Sequence, residues 1–164
     1  MAYRVCFVCM GNICRSPTAS VVMRSMLADA GLDEVVEVSS AGTGSWHVGE
    51  PADARAAAAL ARRGYDAGGH KARQFSARWF DEFDLVVAVD AATAGELKRL
   101  ARTQHRDRVR LLREFDPLCR AASGADLDVP DPYYGGPQGF DDVLDMVERA
   151  CSGLLDELRD GGIG

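Results

Sequence analysis

The residue types best suited to chemistry lie near the start of the chain, in the run Cys9-Met10-Gly11-Asn12-Ile13-Cys14-Arg15-Ser16. Arg15 can hold two oxygens of one phosphate group through paired hydrogen bonds, a geometry that a lysine cannot supply. The positive end of a following helix would favour the thiolate form of Cys9, which is the nucleophilic form of cysteine. Ser16 is placed to stabilise that thiolate when it leaves an intermediate. The pattern therefore indicates a site that binds an oxyanion and attacks it with sulfur.

The residues between the cysteine and the arginine also suit anion binding. Gly11 and Asn12 both tolerate left-handed backbone conformations, in which successive N–H groups of a tight loop can point toward one anion. The alternative is that Cys9 and Arg15 fall at this spacing by chance, and Cys6 is expected to be no more than a small core residue. Position favours the chemical interpretation, because the run follows a strand pattern and leads into the N-terminus of a helix.

The segments around this loop alternate between strand and helix patterns. The first strand is predicted over Tyr3–Cys9, and Ser16-Pro17 predicts a helix that has Ser16 as its N-cap and ends near Ala30. Further strands are predicted over 35–39, 84–89 and 108–112, and further helices over 52–63, 92–102 and 140–159. This alternation predicts an α/β fold with a parallel sheet that helices cover on both faces. Ligands bind such sheets beyond the carboxyl ends of the strands, where the Cys9 loop would lie.

Composition limits the class of protein. The 164 residues are 47% hydrophobic and 27% charged, which is typical of one soluble globular domain, expected to span residues 1–164. The net charge of −6 argues against a general nucleic-acid binder, and any anion site must concentrate positive potential locally. No apolar run is long enough to cross a membrane and the first residues do not resemble a signal peptide, so the cytoplasm is the expected compartment.

Cysteine and histidine usage narrows the chemistry further. The five cysteines are an odd number without a regular framework, so we expect no structural disulfides. A histidine-rich cluster is absent from the sequence, which argues against a zinc site, and we expect neither a metal nor another cofactor.

Several segments together resemble the low-molecular-weight protein tyrosine phosphatases, and the resemblance extends over nearly the whole chain. The matching segments are Val8–Pro17, Ser39–Thr43 with Trp46, His70–Gln74 and Asp131–Gly135. The resemblance implies a doubly wound sheet of four parallel strands and the hydrolysis of phosphotyrosine through a phosphocysteine intermediate. Cys9 matches the nucleophile of the family, Arg15 its phosphate-binding arginine and Asp131 its general acid. The polar network that holds the loop in shape is matched by Asn12, Ser16, Ser40 and His70.

Chemistry supports the choice of Asp131 independently. The tyrosyl oxygen is a poor leaving group unless it is protonated, so an acid should face the phosphorus from the side opposite the sulfur. Asp131 lies between two prolines and is followed at once by Tyr133 and Tyr134, which could line an aryl-phosphate pocket with Trp46. An ordinary Asp-Pro turn is the alternative for Asp131. Asp128 is the rival acid.

The residues expected to contact the substrate are Met10, Gly11, Asn12, Ile13, Cys14, Ser16, Trp46, Tyr133 and Tyr134. Two positions depart from the family pattern. Met10 replaces a residue that is often small or aliphatic, and Ser20 replaces a common glutamate. We expect Met10 to affect substrate preference and Ser20 to affect packing.

We make separate predictions for the positions of the remaining histidines, the second tryptophan and the loop cysteine, Cys14. His47 and His105 have no partner readable from the sequence and are expected at the surface, whereas His70 is kept as a support of the loop. Trp79, beside Phe80, is expected in the core. Cys14 could trap an oxidised Cys9 as a disulfide or could merely pack, and the sequence leaves both open.

Three other functions remain as alternatives. An arsenate reductase on the same fold would need further cysteines near the nucleophile, yet residues 70–100 contain none. The second alternative is a protein arginine phosphatase, which has a similar loop. That subfamily typically has a threonine at the position of Ile13. A phosphopeptide-binding module would be expected to lose the nucleophile or the acid. The expected partners are therefore phosphotyrosine-containing proteins, with no nucleic acid and no membrane, and the oligomeric state is open.

Overall fold

The computed structural model describes residues 2–119 and 124–161, so both ends of the predicted domain span lie outside the described residues. Four strands form one sheet: β1 (Tyr3–Cys9), β2 (Val36–Gly42), β3 (Leu85–Ala88) and β4 (Val109–Leu111). Four α-helices pack against it: α1 (Arg15–Asp29), α2 (Ala54–Arg62), α3 (Ala91–Leu100) and α4 (Pro137–Asp160). Short 3₁₀ turns cover 77–81, 103–108, 112–115, 117–119 and 124–127.

All neighbouring strands run parallel, in the order β2-β1-β3-β4. The chain passes from β1 to β2 on one side and then returns to build β3 and β4 on the other side. The strand order therefore reverses next to the carboxyl end of β1, which is the place where such sheets bind ligands. The predicted α/β fold, a single doubly wound sheet of four parallel strands, is confirmed.

The core divides into two layers, one on each face of the sheet. Side chains of β1 alternate between these layers, since successive residues of a strand point to opposite faces. Val5, Phe7 and Cys9 pack toward α1, α2 and α4, whereas Cys6 and Val8 pack toward α3 and the aromatic residues of 75–83. Cys6 is therefore a core residue on the face away from Cys9, as expected, and burial raises the pKa of its thiol to about 12.

The boundaries of most predicted elements differ from the structure by one to three residues. Helix α1 begins at Arg15 and has Cys14 as its N-cap, so the prediction that Ser16 caps this helix is wrong. Ser16 lies inside the first turn, and its hydroxyl contacts Cys9 Sγ and Asn12 Nδ2 below the loop and does not cap the helix. Strand β2 continues to Gly42, three residues further than predicted, and α4 begins at Pro137 after Gly136.

His105 is buried and not at the surface, which corrects the expectation from the sequence. Its ring stacks on Phe80 with a centroid separation of 5.9 Å, and its Nε2 lies 3.2 Å from a carboxylate oxygen of Asp81. Both partners come from a segment more than twenty residues earlier in the chain, so no local pattern could reveal them.

Helices long and apolar enough to span a membrane do not occur in the described part of the chain.

Candidate active site

The loop from Cys9 to Arg15 joins the end of β1 to the start of α1, at the reversal of strand order. Cys9 is almost fully buried, and its Sγ accepts a hydrogen bond of 3.2 Å from the backbone N–H of Asn12. The hydroxyl of Ser16 lies 3.0 Å from the same sulfur. Asn12 has a φ of 58°, which makes it the non-glycine residue with a left-handed backbone in the described chain. This turn directs its N–H toward the sulfur.

A polar network beneath the loop holds Asn12 in this conformation. Its Nδ2 donates to the hydroxyls of Ser16 (2.8 Å) and Ser40 (3.0 Å), and its Oδ1 accepts from the backbone N–H of Arg73 (3.0 Å). His70 Nε2 lies 2.7 Å from the backbone carbonyl of Asn12. Burial is the largest effect on His70 and lowers its pKa, which favours a neutral ring that donates Nε2–H to this carbonyl.

Glycine at position 42 is required for the loop to lie against β2. A Cβ atom at Gly42 would lie 2.7 Å from the backbone oxygen of Met10 and 3.1 Å from the nitrogen of Asn12. Gly42 also accepts the N–H of Phe75 and donates to the carbonyl of Arg73. Backbone approach of this kind is possible only without a side chain, so the end of β2 shapes the loop as closely as its own residues do.

Arg15 is nearly buried and is anchored by one side of its guanidinium group. Its NH1 donates to a carboxylate oxygen of Asp90 at 2.6 Å and to the carbonyl of Val129 at 2.9 Å. Its NH2 has a different environment, 3.7 Å from a carboxylate oxygen of Asp131. One side of the guanidinium thus fixes the side chain, and the other faces the pocket.

Asp90 is a residue that the sequence analysis missed. It follows β3 directly and caps α3, where its Oδ1 accepts the N–H of Thr93 at 2.8 Å. Burial by itself would raise the pKa of Asp90, but the hydrogen bonds from Thr93 and the contact with Arg15 outweigh it and hold the pKa below its usual value. The sequence did contain a signal for Asp90, because it is a polar residue at the carboxyl end of the strand beside β1, where such sheets bind ligands.

Asp131 lies at the other side of the pocket mouth. Its Oδ1 accepts the N–H of Tyr133 at 3.0 Å, so Asp131 begins a turn, while Oδ2 faces Arg15. The side chain is 43% exposed, which leaves it accessible to a substrate. The rival acid Asp128 is used differently, since its Oδ1 accepts the N–H of Ala91 at 2.7 Å and it does not line the pocket.

The pocket above Cys9 encloses about 110 Å³ and gathers most of the predicted site residues. Trp46 and Tyr134 stand at its rim with exposed fractions of 71% and 93%, and Met10 lies at the rim too. The lining residues are Cys9, Met10, Gly11, Ile13, Cys14, Arg15, Trp46, His47, Asp131, Tyr133 and Tyr134. A small polar floor with aromatic and aliphatic walls is suited to a phosphate carried on a flat apolar group.

The structure does not bring all predicted contact residues to the pocket wall. Asn12 and Ser16 are fully buried below the loop, so their side chains support it, and the contribution of Asn12 near the sulfur is its backbone N–H. Ser40 and His70 lie behind them, in the predicted supporting position. Ser20 is also buried and binds Pro17 and Arg24 within α1.

Cys14 lines the pocket but is not suited to ionise. Burial is the main cause that raises the pKa of its thiol to about 12, and the negative charges of Asp53 and Asp131 act in the same direction. Cys14 is therefore a neutral thiol at physiological pH.

His47, expected at the surface, is partly exposed and also lines the pocket, which the sequence did not predict. Its Nδ1 lies 2.8 Å from a carboxylate oxygen of Glu50, and its ring centroid is 6.3 Å from that of Tyr133. A Cβ atom at Gly11 would lie 2.9 Å from the His47 ring, so the ring sits against the loop. One sequence signal pointed to this position: His47 is next to Trp46, which was predicted to line the pocket.

Comparison with known proteins identifies relatives over almost the whole chain. The family described as low molecular weight phosphotyrosine protein phosphatase matches residues 4–162. A low molecular weight protein-tyrosine-phosphatase of Streptomyces coelicolor is 57% identical over 162 residues, covering 98% of this chain and 96% of the relative. The low molecular weight protein-tyrosine phosphatase A of Mycobacterium tuberculosis is 46% identical, covering 93% and 89%.

Solved structures agree with these relatives. A protein tyrosine phosphatase from Entamoeba histolytica superposes with a TM-score of 0.90 at 35% identity, covering 99% of this chain and 100% of that one. YfkJ from Bacillus subtilis superposes with a TM-score of 0.89 at 34% identity, covering 98% and 97%.

The anchoring of Arg15 by Asp90 leads to a test. Asp90→Ser retains a side chain that can cap α3 but removes the carboxylate that holds Arg15. Because the nearly buried Arg15 then lacks its counter-charge, we expect the free energy of unfolding to fall by about 3 kcal/mol or more, and the affinity of the folded protein for inorganic phosphate to fall by about tenfold or more. Calorimetric titration with phosphate and chemical denaturation measure the two quantities. Unchanged phosphate affinity would show that Asp90 does not position Arg15.

Proposed function

The chain belongs to the low molecular weight phosphotyrosine protein phosphatase family and is a protein-tyrosine phosphatase, and we propose that it works through a phosphocysteine intermediate on Cys9. In this proposal Arg15 and the backbone N–H groups of the loop bind the phosphate, and Asp131 serves as general acid and then as general base. The domain that carries this activity is taken to span residues 1–164.

One observation carries the proposal: Cys9, Arg15 and Asp131 line a single small pocket, with the sulfur at its floor and the carboxyl group at its mouth. A phosphate bound between them would meet the sulfur on one side and the acid on the other. That arrangement is what an in-line displacement at phosphorus requires.

In the first step the Cys9 thiolate attacks phosphorus, a sulfur–phosphorus bond forms and the bond from phosphorus to the tyrosyl oxygen breaks. Asp131 donates its proton to that oxygen, so tyrosine leaves as a neutral phenol. Arg15 NH2 and the loop N–H groups neutralise the charge on the remaining phosphate oxygens. The anchored NH1 keeps the guanidinium in place while this happens.

In the second step a water molecule replaces the phenol. Asp131, now ionised, accepts a proton from this water as it attacks phosphorus, and the sulfur–phosphorus bond breaks. The departing thiolate is stabilised by the N–H of Asn12 and by the hydroxyl of Ser16, both of which contact the sulfur. Inorganic phosphate is then released, and Cys9 returns to its starting state.

The pocket walls support phosphotyrosine-containing proteins as substrates. The phosphate floor cannot distinguish what carries the phosphate, so selectivity must come from Ile13, Trp46, Tyr133 and Tyr134. Tyr133 is held in place by Arg55, whose guanidinium lies 5.2 Å from its ring centroid, and by the neighbouring ring of Tyr134. A phenyl ring buried against such walls gains at most a few kcal/mol.

We also propose that the protein is located in the cytoplasm. Cys6, Cys9, Cys14, Cys119 and Cys151 are all free thiols, and a catalytic thiol has to stay reduced to act. The cytosol maintains that state.

The role of the nucleophile is tested by Cys9→Ser. We expect no measurable turnover of p-nitrophenyl phosphate in the presence of a chelator, because the hydroxyl is a far weaker nucleophile. Binding of inorganic phosphate should persist, because Arg15 and the loop N–H groups remain. In the native enzyme, rapid acid quenching followed by mass spectrometry should find phosphate on Cys9. A Cys9→Ser protein that keeps its activity would contradict the mechanism.

The role of the acid is tested by Asp131→Asn with Asp128→Asn as the matched control. Turnover of phosphotyrosine should fall by about 10²–10⁴ in Asp131→Asn, whereas aryl phosphates with very acidic leaving groups should be affected much less. Asp128→Asn should resemble the native enzyme on both substrates, because Asp128 does not line the pocket. Equal losses on both substrates in Asp131→Asn would assign the acid to another residue.

Specificity separates this enzyme from a phosphoarginine phosphatase. Phosphoserine is too short to bring its phosphate to the floor, and the guanidinium of phosphoarginine has donors that Ile13 cannot satisfy. We expect kcat/KM to favour phosphotyrosine peptides over both by about tenfold or more, which corresponds to about 1.4 kcal/mol. Ile13→Thr should narrow the difference from phosphoarginine. A native enzyme that prefers phosphoarginine would overturn the assignment.

A further inference from the structure

A second, larger cavity of about 450 Å³ lies beside the network that supports the loop. It shares no lining residue with the pocket above Cys9. We call it the basic cavity, after its residues Arg24, Ser39, Ser40, His70, Lys71 and Arg73. The phosphatase mechanism makes no use of it as a binding site.

The lining of the basic cavity carries an excess of positive charge. Arg24, Lys71 and Arg73 supply three cations, and Asp66 is the one carboxylate among its described lining residues. Asp66 uses Oδ1 to accept the N–H of Gly68 at 2.8 Å. None of the ion pairs within residues 2–119 and 124–161 includes any of the three cations. In a chain with a net charge of −6, this is a local region that attracts anions.

Arg24 has no negatively charged partner among the described residues. Its guanidinium donates to the hydroxyl of Ser20 at 3.2 Å and to the carbonyl of Val38 at 3.5 Å, and both acceptors are neutral. Ser20 stands one helical turn before Arg24, a spacing at which a carboxylate would form an ion pair. The surrounding protein partly removes the guanidinium from water, which lowers the pKa of Arg24. An anion in the cavity would supply the counter-charge that the helix does not.

Arg73 provides a second set of donors and a link to the catalytic loop. Its Nε donates to the carbonyl of Ser40 at 3.0 Å, and its two terminal nitrogens make no hydrogen bond within the described residues. Its backbone N–H holds Asn12, as does the ring of His70, which also lines the cavity. A ligand that orders Arg73 and His70 would therefore restrict the groups that keep Asn12 in its left-handed turn.

We propose that the basic cavity binds a small polyanionic phosphate, with Arg24, Lys71 and the terminal nitrogens of Arg73 as its ligands, and that occupation stabilises the catalytic loop. Guanidinium groups bind phosphate oxygens in pairs, which suits a ligand with several oxygens such as a diphosphate. The inference is independent of the tyrosine phosphatase mechanism, because neither the ligand nor its binding residues take part in it.

The test first removes the anion site of the catalytic pocket. Inorganic pyrophosphate is titrated by calorimetry into the 164-residue Cys9→Ser/Arg15→Ala protein, after circular dichroism has shown that it is folded, and we expect one binding event to remain. Adding Arg24→Gln or Lys71→Gln to this background should weaken it by about tenfold or more. Lys98→Gln removes the same charge from an exposed position of α3 and should leave the affinity within about twofold. No binding event, or equal affinity in the Arg24→Gln and Lys98→Gln proteins, would overturn the proposal.

A second pair of variants tests the cavity without removing a cation. Ser20→Glu places a carboxylate one turn before Arg24, so it should occupy the guanidinium and weaken pyrophosphate binding by about tenfold, whereas the uncharged Ser20→Gln should not. Because Ser20 is buried, circular dichroism is used to check that both variants fold before their affinities are compared. In the Cys9→Ser/Arg15→Ala protein, pyrophosphate should slow amide hydrogen exchange of residues 10–14 by about twofold or more. Binding with unchanged exchange would refute the stabilisation of the loop.

Discussion

The site depends on one backbone turn, the left-handed conformation of Asn12. Residues other than glycine adopt it at a cost of about 1–2 kcal/mol, and asparagine is among the few that do so, because its short polar side chain can form local hydrogen bonds. Four hydrogen bonds to the side chain and carbonyl of Asn12 offset this cost, at about 0.5–1.5 kcal/mol each. The result is an N–H group that points at the Cys9 sulfur, in a chain whose overall charge would repel a phosphate.

The hydrogen bonds of Arg15 are likewise divided between the fold and the pocket. A buried guanidinium needs a carboxylate to compensate for lost hydration, but a guanidinium saturated by carboxylates could not bind a substrate. The structure divides the group: NH1 is held by Asp90 and Val129, and NH2 faces the pocket near Asp131. Asp131 and Arg15, the proposed acid and phosphate ligand, therefore lie next to each other in the pocket above Cys9.

The agreement between sequence and structure differs from one residue class to another. The placement of Cys9 and Arg15 at the two ends of a loop between a strand and a helix could be predicted, because strand, loop and helix start are all local patterns. Ser16 was misassigned as a helix cap because a serine before a proline satisfies the local rule, while its actual partners are Cys9, Asn12 and Ala41. The surface prediction for His105 was wrong for a related reason, since its burial depends on Phe80 and Asp81, which lie far from it in the chain.

The sequence by itself determined the parallel α/β fold and the position of the Cys9 loop at the end of the first strand, and it supplied the candidate reactive residues Cys9, Arg15 and Asp131. These follow from periodicity, from turn residues and from two motifs at opposite ends of the chain. Only the tertiary structure decided that Asp90 anchors Arg15, that Arg73 and Gly42 shape the loop, and that three cations gather in a cavity whose described lining has a single carboxylate. The physical reason is that each of these is a contact between residues far apart in the chain, and its energy depends on distances that only the packed sheet and helices create.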